Sequence, residues 1–577
     1  MSAAHRLLAI PEVLVQVAEH AKDESTVASL AQTCRFFCSP ALDVLWRSQS
    51  GLANIVKCMP ADLWEIQPEL YGRGTLTFKR AMRPSDWDRF NVYAPRVRVL
   101  ALRLCGRRDV HLENDVYLAL SMYALSMPLF PNLRTWYCLG IPQATAGPDH
   151  RLFLGAHLVD LTVAWDAFDE RAAFLLACLS QRCHKLQTID LQVDHAIAAA
   201  QDLWLQPGLF ASLKELYYVH VNADASFPAA AFVELQRLPE LEELVIETHP
   251  SPVWSLPPAS LETPSSFRAL ISLHLNSGHG KSCVDMLAAV FFPVLEILEI
   301  EAGLVGPLGH LFKAIHEHCS HTSLRILHVA GLDPVDEGAD EDVKPEPAAT
   351  ADDFRYLHAF HRLEEVWVDT LHDFVLADDD LRHMALSWPR LRSLRLLPAE
   401  ELNPPNWGTP AAGTLTGLMH FARHCPALRS LWLVLDTLSA SAEQILFEFP
   451  DALEVESAVT HLMVGTSDAC DGDAHEVAKS LAIIFPHLEE FAGDYPFIHN
   501  DTWDEIERLY PACLRAINAM RRRHCNRLLV SDTSTSDDDD ANDDDGDDND
   551  DDDDGGEEVE GFIWTLTDDT VTRQLVS

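Results

Sequence analysis

The sequence predicts an α/β solenoid with short parallel strands inside and helices outside. Three N-terminal helices precede it and a disordered acidic tail follows it. Three observations carry this reading. An apolar-x-x-apolar-x-apolar pattern recurs fourteen times. Proline stands two residues before the pattern in seven copies. The 577 residues carry a net charge of −46, and much of that charge sits in one run near the C-terminus. At roughly 150 residues per domain, this length means about four units or one long array.

The first helix is written in Ile10, Val13, Leu14, Val17, Ala18 and Ala21, spaced along one helical face. Pro11 suits the first turn, where its missing N–H costs nothing. Asp23 or Ser25 can cap a second helix, with Val27, Leu30, Ala31 and Cys34 as its stripe, joined by Phe37. Ser39-Pro40 reads as the start of a third helix bearing Ala41, Leu42, Leu45 and Trp46. Such a small unit is marginal alone and needs a partner surface. Read as structure only, the stripe is a helical core.

These residues resemble an F-box. The resemblance rests on Ile10-Pro11-Glu12-Val13, Leu30-Ala31, Cys34-Arg35-Phe36-Phe37 and Leu45-Trp46-Arg47, about 45 residues in all. Ile10 and Val13 replace the usual Leu and Ile, both volume-conserving. The resemblance implies docking onto the small adaptor subunit of a cullin-type ubiquitin ligase. Carried over by position, Ile10, Pro11, Val13, Leu14, Val17, Leu30, Cys34 and Trp46 would form the docking face or its support.

The body is the repeat. Its anchors are Val97, Leu133, Leu158, Leu186, Leu213, Leu241, Leu270, Leu295, Leu324, Leu363, Leu391, Leu428, Val459 and Leu488, and nine of the thirteen spacings are 25 to 29 residues. A period near 28 with one short strand is the signature of leucine-rich repeats. The prolines (Pro95, Pro131, Pro239, Pro293, Pro389, Pro426 and Pro486) end each preceding helix and send the chain into the strand. Ala172–Leu179 and Val477–Ile484 fit the outer helices. The sequence divides into helical residues 1–60, a connecting segment 61–90 and the array 91–530, followed by the tail 531–560 and an apolar segment 561–577. A flexible loop insertion is expected at 331–353. Further insertions lie between Leu391 and Leu428, around Asn403–Trp407, and between Val97 and Leu133. An F-box followed by irregular leucine-rich repeats with Phe-Pro-x-Leu junctions resembles the large fungal F-box families.

Asp532 to Glu560 holds 18 acids and no base, and residues 1–531 still carry 69 acids against 42 bases. This balance argues against nucleic acid, whose phosphates need clustered Lys and Arg, and against an anionic membrane surface. The longest apolar runs fall short of a bilayer span, and no secretory signal is read at the start. The tail has nothing to bury and repels itself. Ser534, Thr535 and Ser536 each precede an Asp by three residues, which suits an acid-seeking kinase. Thirteen scattered cysteines fit reduced thiols in the cytoplasm or nucleus.

Chemistry is sparse. His316-x-His318-Cys319-x-His321 has the residue types of a zinc site but the position of a helix end, where cations favour the dipole. Asp468, Asp471 and Asp473 lack calcium-loop spacing. Arg521-Arg522-Arg523-His524 reads as a solvated helix end or a weak nuclear signal. Phosphate-loop and hydrolase motifs are missing, so no metal, cofactor or catalytic residue is expected. Tyr217, His328, Trp367, Arg395 and Trp432 stand between the last two apolar sites of their repeats and should face the concave surface. They are the candidate contacts for a target protein. Two functions follow: a non-catalytic substrate receptor of a ubiquitin ligase, or a repeat scaffold for protein–protein interaction without a role in ubiquitination.

Overall fold

The computed structural model describes residues 10–532 and 562–575, except 22, 69–73, 104–109, 140–149, 166–169, 194–209, 211, 224–228, 249–265, 305–306, 332–347, 371–372, 399–411, 438, 440, 465–473, 493–500 and 568–569. Residues 1–521 form one compact unit and 522–577 a second.

In the first unit, one parallel sheet of 15 strands runs in strict chain order. Its strands are β1 (Ser48–Gln49), β2 (Val99–Arg103), β3 (Thr135–Leu139), β4 (Asp160–Trp165), β5 (Thr188–Val193), β6 (Tyr218–Ala223), β7 (Glu243–Thr248), β8 (Ser272–Ser277), β9 (Ile297–Ala302), β10 (Ile326–Gly331), β11 (Glu365–Thr370), β12 (Ser393–Pro398), β13 (Ser430–Trp432), β14 (His461–Met463) and β15 (Glu490–Ala492). Among the described residues, the chain returns through a helix between most successive strands. Glu170–Arg182 and Ala474–Ile484 contain the two predicted helical segments. This is the leucine-rich-repeat solenoid that the period predicts: each strand pairs with its neighbours and each leucine ladder buries against the helices.

The register is set at the turn into each strand. The anchor N–H closes onto the carbonyl three residues earlier, as from Leu363 to Phe360 (3.2 Å) and from Leu391 to Trp388 (3.1 Å). The next two N–H groups reach the preceding repeat, as Glu364 and Glu365 do to the Arg325 carbonyl (2.7 and 3.1 Å). Side chains then alternate. Leu298 and Ile300 are buried while Ile297, Glu299 and Glu301 are half-buried on the opposite face.

Thirteen of the anchors hold this register and one does not. Val219 pairs with Leu244, so the sixth strand is anchored by Leu216 rather than Leu213. Leu213-Lys214-Glu215-Leu216-Tyr217-Tyr218 satisfies the pattern, but so does Leu216-Tyr217-Tyr218-Val219-His220-Val221 three residues on. Leu213 instead fills the buried slot before the turn that Phe267, Phe292, Phe360 and Trp388 fill elsewhere. The phenyl rings of Phe232, Phe267 and Phe292 follow one another at 5.3 and 5.7 Å along this layer.

The segment 61–90 is an end cap, not a connector. Trp64–Pro68 pairs antiparallel with Gly74–Phe78, which pairs with Val110–Leu112 from the insertion after Val97. Leu63, Leu76, Trp87 and Phe90 join the continuous core. Arg80 ties the cap through Asp62 and the buried Asp86 (both 2.8 Å). A solenoid end exposes an unmatched leucine layer, and aromatic bulk covers it.

At the far end the sheet stops at β15, short of residue 530. The helix Asp501–Asp532 follows, and Trp503, Ile506, Tyr510 and Ile517 are buried against the last repeats. Tyr510 donates to the Phe485 carbonyl at 2.6 Å and Arg521 to that of Ile483 at 2.8 Å. Arg521 is therefore part of this cap rather than a solvated end.

The expected loop 331–353 is narrower than predicted. Gly331 belongs to β10, Ala349–Thr350 pairs with Phe374–Val375, and Ala351–Phe354 is a helical turn capped by Asp353. The remainder of that insertion, the Asn403–Trp407 stretch, Asp468, Asp471 and Asp473, and residues 533–561 of the tail lie outside the described residues. In the second unit, the apolar segment forms a hairpin, Phe562–Thr567 against Thr570–Leu575.

Candidate functional site

Two surfaces take up the residues that the sequence singles out. The first is built by α1 (Pro11–Glu19), α2 (Glu24–Thr33) and α3 (Arg35–Leu45). Asp23 caps α2, accepting from the Thr26 N–H at 2.7 Å. The predicted third start at Ser39-Pro40 is a misreading: α3 begins after Cys34 and carries Pro40 inside it. Pro40 and Ala41 are buried, so tertiary packing holds a helix that proline disfavours by about 3 kcal/mol.

The small core here is Ala18, Val27 and Ala41, with Leu30, Ala31, Val44 and Leu45 packed around it. The predicted docking residues divide. Ile10, Pro11, Val17 and Cys34 are exposed, Val13 and Leu30 are half-buried, and Leu14 is buried. Trp46 faces the body, its ring stacked on Tyr93 at 4.6 Å. Phe36, 75% exposed, was missed as a site residue because its neighbour Phe37 fits the stripe. An ion pair from Arg96 to Asp43, and a hydrogen bond from Arg96 to the Ser39 carbonyl at 3.2 Å, hold the helices to the repeats. A second ion pair joins Arg47 to Glu19.

The other surface is the outward face of the sheet. One row crosses it from strand to strand: Asp190, His220, Val245, His274, Glu299, His328, Trp367, Arg395 and Trp432 are consecutive register partners. Four of the five predicted contacts lie in it. Tyr217 does not: the register shift puts His220 in that position, and Tyr217 lies in the turn leading into β6. The overlapping copy of the pattern held His220 as well, three residues further on.

The row is made of contacts between strands. His328 stacks on Trp367 at 4.1 Å with the planes 9° apart. Arg395 lies 4.7 Å over the Trp432 ring and bonds Asp369 at 2.6 Å. His220 stands 3.0 Å from Asp190 and 3.5 Å from Glu247. His274 is 3.4 Å from Glu299, which also approaches His328 at 3.3 Å. Asn222 and Asn276 donate to Glu247 and Glu301 at 2.5 and 2.9 Å. Burial disfavours the charged ring of His220, yet the Asp190 and Glu247 carboxylates raise its pKa above the ordinary histidine value. Burial likewise raises Asp369, against the pull of Arg395.

The histidine motif at the end of the helix Gly309–His318 is engaged with backbone. His316 Nδ1 lies 2.9 Å from the Tyr356 carbonyl, His318 Nδ1 3.2 Å from that of Val290, and His321 Nε2 2.9 Å from that of His316. Among the described residues, no group of three His, Cys, Asp or Glu is placed to hold a metal ion. Cys183, Cys283, Cys319 and Cys425 are buried, and burial pushes each thiol up to about 12.

The parallel register and the repeated turn define a leucine-rich-repeat protein. No family model matches the chain, and no curated relative does. Among solved structures, an internalin from Listeria monocytogenes aligns at 11% identity over 73% of this chain and 90% of its own, with a TM-score of 0.33. The yeast Rad7 and Elc1 complex aligns at 16% identity over 61% of this chain and 83% of that one, with a TM-score of 0.26. Both superpositions are loose, and the repeat assignment rests on the sheet itself.

Proposed function

We propose that this protein is the substrate-recognition subunit of a cullin-type ubiquitin ligase. In this reading the three N-terminal helices dock the adaptor and the outward face of the sheet holds a target protein. One observation carries it. Ile10, Pro11, Val17 and Phe36 form apolar surface on a small helical unit that the repeats leave uncovered. Exposed apolar side chains gathered on so small a unit suit an interface. The reading makes the chain non-catalytic and places it in the cytoplasm, the nucleus or both. Holding a target near the ubiquitin carrier raises effective concentration without local chemistry.

The test is co-purification with the adaptor. Leu14 is buried, so its replacement would test folding instead of docking. Val17→Asp and Phe36→Asp change exposed positions only. Stoichiometric binding by the wild type, lost in the double variant with unchanged thermal unfolding, supports the receptor. A scaffold without a role in ubiquitination is the second reading. It is favoured by Leu14 and Trp46, two motif residues engaged inside the molecule, and it predicts no adaptor binding by the folded wild type.

A further inference from the structure

The outward face of the sheet has a pattern of its own. Strands β4 to β11 contain eight carboxylates and neither lysine nor arginine. From β5 to β11 the charges also alternate by strand. Asp190 stands on β5, Glu247 on β7, Glu299 and Glu301 on β9, and Glu365 and Asp369 on β11. The strands between, β6, β8 and β10, present His220, His274 and His328. Asn222 and Asn276 hold two of the carboxylates in place. At the far end Trp367 is 37% exposed, and Arg395 of β12, paired with Asp369, is the first cation on a strand past β11.

Neighbouring strands lie about 4.8 Å apart, so carboxylates on alternate strands recur at about 9.6 Å. A polyproline II chain rises about 3.1 Å per residue with three residues per turn. Its every third side chain points the same way, at a repeat of about 9.3 Å. Glu247, Glu301 and Asp369 stand in one register row, through Asn276 and Ala330, so the two spacings agree across three carboxylate-bearing strands. Charge complementarity then names the occupant.

We infer that this face binds an extended segment of a partner protein with Lys or Arg at every third position. The segment runs across strands β7 to β11 and ends beside the half-exposed Trp367, on which His328 is stacked. This inference rests on the reading of the sheet face as the target-binding surface. It adds the chemistry of the target.

The experiment measures fluorescence anisotropy of the full chain with two labelled peptides at about 0.15 M salt. One is a Lys-Pro-Ser repeat of about five units. The other has the same composition with its lysines contiguous. The spaced peptide is expected to bind several-fold tighter. Glu247→Gln, Glu299→Gln and Glu301→Gln together should weaken it about tenfold. Trp367→Ala, which leaves every carboxylate in place, should weaken it by less. Glu234→Gln, Glu443→Gln and Glu476→Gln, on the helices, should leave it unchanged. Equal affinity for the two peptides, or equal loss from the two triple variants, would overturn the inference, since net charge alone would then explain binding. Adaptor co-purification of the same proteins separates the two ideas. Spaced-peptide binding without adaptor binding sustains this inference and sinks the ligase.

Discussion

The N-terminal helices and the repeat body are written in the same residue types but finish differently. In the body every leucine ladder meets another repeat, and its apolar positions are almost entirely buried. At the N-terminus three small or β-branched residues form the core, while Ile10, Val17 and Phe36 stay outside. The difference is one of neighbours. A repeat is covered on both sides by copies of itself, and its ends by aromatic caps. The three helices meet the body through Trp46 and Arg96, and Ile10, Val17 and Phe36 stay exposed.

The largest expected effect breaks the body. Leu298→Ala, near the start of β9, removes a fully buried side chain and should cost about 2–5 kcal/mol. Chemical denaturation of the full chain measures it. The same truncation at Val17 should change stability by less than about 0.5 kcal/mol. Comparable losses at the two sites would erase the contrast.

A smaller effect tests the hinge between the regions. Arg96→Ala removes the ion pair to Asp43 and the bond to the Ser39 carbonyl. Partly exposed pairs are worth up to about 1 kcal/mol, so global unfolding should scarcely move. Hydrogen exchange should quicken in residues 35–49 while β8 and β9 stay protected. Uniform protection in the variant would show that Trp46 on Tyr93 suffices.

The smallest effect concerns two histidines on opposite sides of the sheet. His220, on the outward face, has a raised pKa, since Asp190 and Glu247 outweigh its burial. Its contribution is full below the ordinary value of about 6.5 and is lost as pH rises through its folded value. His358 has a lowered pKa, from burial first and then from His383. Its contribution is full above about 6.5 and is lost as pH falls through its folded value. His220→Gln and His358→Gln should therefore tilt the pH dependence of the unfolding temperature in opposite directions. Tilts of the same sign would contradict the assigned environments.

Much of this was legible in the chain. The six-residue pattern gave thirteen strand registers because burial alternates along a strand and the turn fixes where it begins. It slipped once, at Leu213, where two overlapping copies satisfy the same spacing and only pairing with β7 selects between them. Segment 61–90 was opaque because an end cap has no period. It is recognised by what it covers. Phe36 was passed over because helical spacing assigns a stripe to the core whether or not anything covers it.

The amino-acid sequence by itself determined the repeat, its period, the side of each strand that is buried and the acidity of the whole. These depend on local alternation and composition, which act within a few residues. The tertiary structure alone decided which outward residues meet. Asp190 and His220, Glu299 and His328, and Trp367 and Arg395 come from different repeats, and only the parallel register sets them side by side. It also decided which apolar residues remain uncovered, because that depends on whether a neighbour arrives to bury them.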